Sequence, residues 1–158
     1  MNSEIVHSQV NHFRGRSEHT LDGKGRLSIP ARFRDVLRKQ SDERLVITPS
    51  QKYLKVYPLP QWIDIEIQLM EQLKVQPELK KMVEWTIESA VECSLDKQGR
   101  ILLPPLLREE CNIGKDVVVS GAIKFFKVLG KETWEADSKP TQEDFDKFES
   151  SLLSSGLL

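Results

Sequence analysis

Leu21-Asp22-Gly23-Lys24-Gly25-Arg26-Leu27-Ser28-Ile29-Pro30 returns in the second half of the chain as Leu95-Asp96-Lys97-Gln98-Gly99-Arg100-Ile101-Leu102-Leu103-Pro104. An Asp, a Gly-Arg pair and a Pro after three mostly apolar residues recur in register. The spacing is about half the chain, so the sequence reads as a tandem of two related units. Asp accepts hydrogen bonds from nearby backbone amides and Gly supplies unusual φ, so each copy predicts a tight turn. An Arg four residues after the Asp can fold back onto it. Asp22, Gly25, Asp96 and Gly99 are therefore read as structural turn residues, and Arg100, with Lys97, as structural or at a subunit contact.

The flanks repeat as well. Phe13 to Leu21 predicts a first strand, and Arg26-Leu27-Ser28-Ile29 a short second one. Pro30 stands at the first position of a helix running to about Lys39, with Phe33, Val36 and Leu37 on one face. Leu45–Thr48 and Tyr53–Tyr57 are β-rich runs around Pro49-Ser50-Gln51-Lys52, which predicts a hairpin. The second unit repeats the order: strand Val91–Leu95, strand Ile101–Leu103, and a helix opened by Pro104-Pro105 with Leu107 and Cys111 inward. A second hairpin, Asp116–Ser120 with Lys124–Leu129, turns at Gly121. Trp62 and Trp134 follow the two hairpins at nearly the offset of the turns.

Two helices, Trp62 to Leu73 and Pro77 to Ala90, are predicted between the units. The first carries Leu69 and Leu73 on one face. The second carries a stripe of Leu79, Met82, Val83, Ile87 and Ala90. Thr141-Gln142-Glu143-Asp144 resembles a capping box ahead of a C-terminal helix with Phe145, Phe148 and Leu152 on one side. Ser154 to Leu158 reads as a fraying end. The divisions are an N-terminal extension (1–12), a first repeat (13–60), a helical connector (61–90), a second repeat (91–135) and a C-terminal helix and tail (136–158). Each repeat of about 70 residues is marginal for a core of its own, so the two are expected to share one.

The 158 residues are 39% hydrophobic and 30% charged, as in an ordinary soluble protein. No apolar run approaches the ~18–20 residues that span a bilayer, and the first residues lack the pattern of a signal peptide. Cys93 and Cys111 fit no metal or redox spacing and suit buried thiols in a reducing cytoplasm. The net charge of −1 conceals an asymmetry. Residues 12–40 carry eight basic and three acidic side chains, residues 92–115 four of each, and residues 131–158 three basic and seven acidic. A basic patch on a neutral protein points to a polyanion partner, a solvated surface being the alternative.

Catalysis has little support. His7, His12 and His19 have no metal-ligand spacing, and no nucleophile elbow or phosphate-binding fingerprint occurs. Asp22 and Asp96 could form a carboxylate dyad across a pseudo-twofold axis, but their Gly neighbours favour the turn. No catalytic residue, metal, cofactor or small-molecule substrate is expected. An exposed loop with Lys24 and Arg26, followed by a helix bearing Arg32, Arg34 and Arg38, can meet phosphates, and Arg can read guanine edges bidentately. The first turn is thus the expected DNA-facing element.

Phe13-Arg14-Gly15, the Asp22–Ala31 stretch and the Asp96–Pro104 stretch together resemble the MraZ family of bacterial transcriptional regulators, built from tandem SpoVT-AbrB domains. The resemblance covers roughly residues 13–150. It implies an α+β fold, a swapped-hairpin β-barrel formed by two AbrB-like repeats with flanking helices. It also implies closed homo-oligomeric rings, and binding to direct repeats in double-stranded DNA upstream of the division and cell-wall gene cluster, the protein's own operon included. Lys24 and Arg26 would make the DNA contact, with Arg14, Arg16 and Arg32 as neighbours, in the cytoplasm and nucleoid. Members of the family begin close to the Phe-Arg-Gly, so residues 1–12 either put the start of the chain in doubt or add a flexible arm. An AbrB-type antitoxin or protein-interaction module is the alternative.

Overall fold

The computed structural model describes residues 12–157. The chain forms β1 (Arg16–Thr20), β2 (Arg26–Ser28), α1 (Ala31–Ser41), β3 (Arg44–Pro49), β4 (Leu54–Pro58) and α2 (Leu59–Val75). A 3-10 turn (Pro77–Leu79) leads to α3 (Lys80–Glu88), β5 (Val91–Ser94), β6 (Arg100–Leu102), α4 (Pro105–Glu110), β7 (Asp116–Gly121) and β8 (Phe126–Gly130). A short α5 (Lys131–Thr133) continues into a π-helical turn (Trp134–Ser138), and α6 (Gln142–Ser154) is the last helix. This is a mixed α+β protein with antiparallel sheets, as the resemblance implied. Of the predicted extension, residues 1–11 lie outside the described residues, as does Leu158 of the predicted tail.

The two repeats exchange strands. The six-stranded sheet runs β1-β7-β8-β4-β3-β5, so each repeat's first strand pairs with the other repeat's hairpin. β2 and β6 form a separate two-stranded ladder. In that ladder Leu27 faces Ile101, its own equivalent in the second repeat. Between the hairpins Lys55 faces Lys127, again its own equivalent. A residue opposite its own counterpart lies on a twofold axis, so a pseudo-twofold passes through both pairs. Backbone bonds obey it too: Ile29 N–H donates to Gly99 O and Leu103 N–H to Gly25 O, both at 3.0 Å. The glycine carbonyl of each turn is thus held by the other repeat.

The exchange explains how two short units bury one core. Leu27, Leu37, Leu45, Ile47, Leu54, Ile101, Leu103, Val117 and Val128 are buried together inside the sheets. Each fully buried aliphatic side chain contributes about 1.5–3 kcal/mol. A ring cluster of Phe13, Phe33 and Phe126, with centroids 5.1–5.3 Å apart, fills one side. The outer sheet face carries a smaller cluster of Val46, Tyr57 and Trp62. Cys111 is buried and Cys93 half-buried, and loss of solvation pushes both thiols up to about 11.

Several boundaries move. Residue 13 makes only an isolated bridge to Ile123, because Gly15 at φ 103° breaks the strand before Arg16. Pro30 caps α1 from outside at ψ 141° instead of sitting in its first turn. The second hairpin turns over residues 122–125, with Gly121 still in β7: a Cβ there would lie 2.6 Å from the Phe13 backbone. Within the predicted stripe on α3 only Val83 is buried, and Met82 is exposed. The capping box at Thr141 is complete, with Asp144 N–H donating to Thr141 Oγ1 and Thr141 N–H to the Asp144 carboxylate. The helix it begins ends at Ser154. Gly156 turns left-handed, and Leu157 N–H donates to Leu152 O.

Candidate nucleic-acid interface

Each Asp-x-x-x-Arg segment folds into the same closed turn. Asp22 Oδ1 accepts the amides of Lys24 at 3.0 Å and Arg26 at 2.8 Å, and Oδ2 accepts Arg26 Nε at 2.5 Å. Asp96 accepts the amides of Gln98 and Arg100, and Arg100 Nε, all at 2.9 Å. Gly25 and Gly99 take φ of 82° and 74°, which a side chain would resist. Asp22, Gly25, Asp96, Gly99 and Arg100 all lie within these two turns.

The turns are also neighbours. The β2–β6 ladder sets them side by side, and Arg100 Nη1 lies 3.9 Å from Asp22 Oδ2 while its Nε engages its own Asp96. Arg26 engages Asp22 through Nε and enters no ion pair with another described residue. Lys24 is exposed at the tip of the first turn; the ammonium enters no ion pair among the described residues. Lys97 is exposed on the second turn, at the position equivalent to Gly23.

Sequence reasoning gave Arg34 and Arg108 no place in the turns. A Cβ on Gly25 would lie 2.7 Å from the Arg108 guanidinium, and one on Gly99 would lie 2.6 Å from Arg34. Each helix therefore lays an arginine across the other repeat's turn. Arg108 Nε donates to Leu103 O at 3.0 Å, whereas Arg34 Nε is buried without a hydrogen-bond partner among the described residues. The signal was available, since the two arginines are separated by the same interval as the turns themselves.

The remaining predicted DNA-contact residues are elsewhere. Arg32 Nη2 donates to Arg14 O beside Gly15, joining those two at the entry to β1. The Arg16 guanidinium stacks 4.6 Å from the Trp134 ring. Arg16 opens β1 and Asp22 follows its far end, so about 15–20 Å of extended chain separates Arg16 from the turn.

The turn carboxylates are acidified by this geometry. Asp22 is pulled from 3.8 to about 2, first by the Arg26 amide hydrogen bond, with Arg26 Nε and the Lys24 amide adding to it and desolvation opposing. Asp96 is lowered by the same kind of partners, the Arg100 amide first. A depressed folded pKa stabilises the fold above the unfolded value and loses that stabilisation as pH falls through the folded one. The contribution is thus present above about pH 4 and disappears toward pH 2. Asp22→Asn/Asp96→Asn should flatten this acid limb in urea titrations at stepped pH; an unchanged limb would contradict it.

Two exchanged repeats, each presenting an arginine-locked turn on a common end, define a tandem-repeat protein with a basic two-turn face. A protein-family model described as "MraZ protein, putative antitoxin-like" matches residues 12–82 and 87–154. A protein of Syntrophobacter fumaroxidans named transcriptional regulator MraZ is 42% identical over 146 residues, 92% of this chain and 97% of its own length. Proteins of the same name from Desulfitobacterium hafniense and Pediococcus pentosaceus are 38% and 36% identical over 146 residues, each spanning 92% of this chain and 99% of their own. The chain belongs to the MraZ family.

Proposed function

We propose that this protein is a DNA-binding transcriptional regulator that recognises repeated boxes in double-stranded DNA upstream of the division and cell-wall gene cluster, its own operon included. The observation that carries the reading is Lys24, held by the Asp22–Arg26 lock at the tip of a turn. A fixed backbone lets a lysine and the outer nitrogens of Arg26 approach phosphates or a guanine edge without losing much conformational freedom on binding. Arg14, Arg16 and Arg32 extend the basic surface from the side and serve as backbone contacts. The site consists of turns, with no step of chemistry assigned to it, and the working place is the cytoplasm and nucleoid.

The same reading takes the two sheets as one swapped-hairpin barrel of the AbrB kind, and several barrels as a closed ring. Each turn alone binds weakly. A ring sets identical turns at fixed spacing, so repeated boxes are engaged together at high effective concentration. Box spacing then contributes to specificity alongside base contacts. The antitoxin alternative has less support, because two complete repeats share the core and the C-terminal segment is a capped helix instead of an extended tail.

A fluorescence-anisotropy titration on the chain's own upstream DNA tests the proposal. Log K should fall steeply with log salt, by about 0.9 per phosphate neutralised. A flat salt response would contradict a phosphate-dominated contact.

A further inference from the structure

A groove of about 1150 Å³ opens on the outer face of the first hairpin. Thr48 and Tyr57 form its floor, Trp62 and Leu69 of α2 one wall, and Met82 and Trp85 of α3 the other. Thr48 pairs with Lys55 and Val46 with Tyr57, so strand alternation sets Thr48 and Tyr57 on one face of adjacent strands, on a diagonal. Both are buried, Tyr57 at 5% and Thr48 at 2% exposure, and neither hydroxyl has a hydrogen-bond partner among the described residues. The Tyr57 ring is held between Trp62 at 5.6 Å and Phe125 at 4.9 Å. Burial, with Tyr53 adding to it, pushes its hydroxyl up to about 12, so the group stays neutral and can donate as well as accept. A covered hydroxyl left unpaired is unfavourable, and a polar atom of a ligand in the groove would relieve it.

The charges around the groove are unequal and divided. Glu84, Glu88 and Glu110 line it against Lys55 and Lys81. The Lys55 ammonium is drawn toward β8, where it lies 5.5 Å from the Phe125 ring. Lys81 stands two turns before Glu88 on α3, about 10 Å along the helix axis. Glu84 is paired with Lys80 at 3.8 Å, whereas Glu88 and Glu110 enter no ion pair among the described residues. Both belong to the β5 side of the hairpin tip. Glu88 ends α3 just ahead of Val91, which faces Ile47, the neighbour of Thr48. Glu110 precedes Cys111, whose thiol lies 4.0 Å from Ser50 O. One end of an aromatic groove thus carries two carboxylates without a cation.

We infer that this groove is a binding site for a flat organic cation. The aromatic body of the ligand lies against the tryptophans, its charge is directed toward Glu88 and Glu110, and a polar atom meets the Tyr57 hydroxyl. Aromatic faces attract cations, and the attraction grows where apolar walls exclude water. Trp62 offers its ring alone, since its Nε1 already donates to Glu66 at 2.6 Å. Concave, mostly apolar sites with a few converging polar groups are the usual seats of small molecules, and this groove is large enough for one. An anionic occupant would face the two carboxylates, and a neutral one would leave them uncompensated. The site is built from the first hairpin, α2, α3 and the end of α4, so the inference does not rest on the DNA reading of the turns.

Three fused-ring probes test it: ethidium, a cation; phenanthridine, its neutral parent; and anilinonaphthalene sulfonate, an anion. Each is titrated into the full chain free of DNA, with probe fluorescence and tryptophan quenching as readouts. Ethidium should bind at least tenfold more tightly than the other two. Glu88→Gln/Glu110→Gln should weaken ethidium at least tenfold and leave phenanthridine unchanged, and Tyr57→Phe should weaken ethidium several-fold. Far-UV melting of the free protein should not fall in either variant, because the groups removed are unpaired within the chain. Equal binding of ethidium and phenanthridine, or tighter binding of the sulfonate, overturns the cation site. Wild-type ethidium affinity in either variant puts the cation elsewhere and overturns it too. Absence of ethidium binding overturns the inference outright and leaves the DNA reading untouched.

Discussion

Phe13→Ala is expected to cost about 3–5 kcal/mol of folding stability, the range for deleting a fully buried phenylalanine. Its ring is completely buried, 5.2 Å from Phe33 and 5.3 Å from Phe126. Its backbone exchanges two hydrogen bonds with Ile123, at 2.8 and 3.0 Å. The residue thus pins the entry of the first repeat onto the hairpin of the second. The pseudo-symmetry offers no replacement, since the equivalents of Phe13, Phe33 and Phe126 are Ile87, Leu107 and Leu54. A single domain has only about 5–15 kcal/mol to lose, so the effect should be plain in a urea denaturation midpoint. A loss below about 1 kcal/mol would show that the aromatic cluster does not hold the repeats together.

Local chemistry was legible in the sequence; exchange between repeats was not. The Asp22 and Asp96 turns could be read because donors and acceptors lie within four residues of each other. The hairpins could be read from their β-branched runs, and the Thr141 cap from its own side chains. Pairing of β1 with β7 and of β3 with β5 depends on which repeat meets which, and local patterning carries no such information. Charge counted along the chain suffered for the same reason. It placed the basic helix α1 with the first turn, whereas strand exchange lays Arg34 of α1 over Gly99 of the second turn. The difference between the turns is finer than a stretch of net charge: Arg100 leans on two carboxylates, and Arg26 on one. Phe145 and Phe148 were legible as one face of a helix, but their exposure was not, because periodicity cannot say whether a stripe finds a partner within its own chain.

Lys24→Glu carries the second large expected effect. A phosphate or base contact of this kind is worth about 1–3 kcal/mol for each turn engaged. Reversal of the charge adds repulsion to the lost attraction, and simultaneous engagement of several boxes compounds it. The substitution should leave the fold intact, because only the Lys24 backbone amide takes part in the turn. Lys97→Glu is a matched control on the second turn, at a likewise exposed position.

The most direct test titrates wild type, Lys24→Glu and Lys97→Glu against DNA from the chain's own upstream region across a salt series. The account predicts at least a tenfold loss of affinity and a shallower salt slope for Lys24→Glu, with a smaller loss for Lys97→Glu and unchanged melting for both. Equal losses for the two variants, or wild-type affinity and slope for Lys24→Glu, would contradict the first turn as the DNA contact.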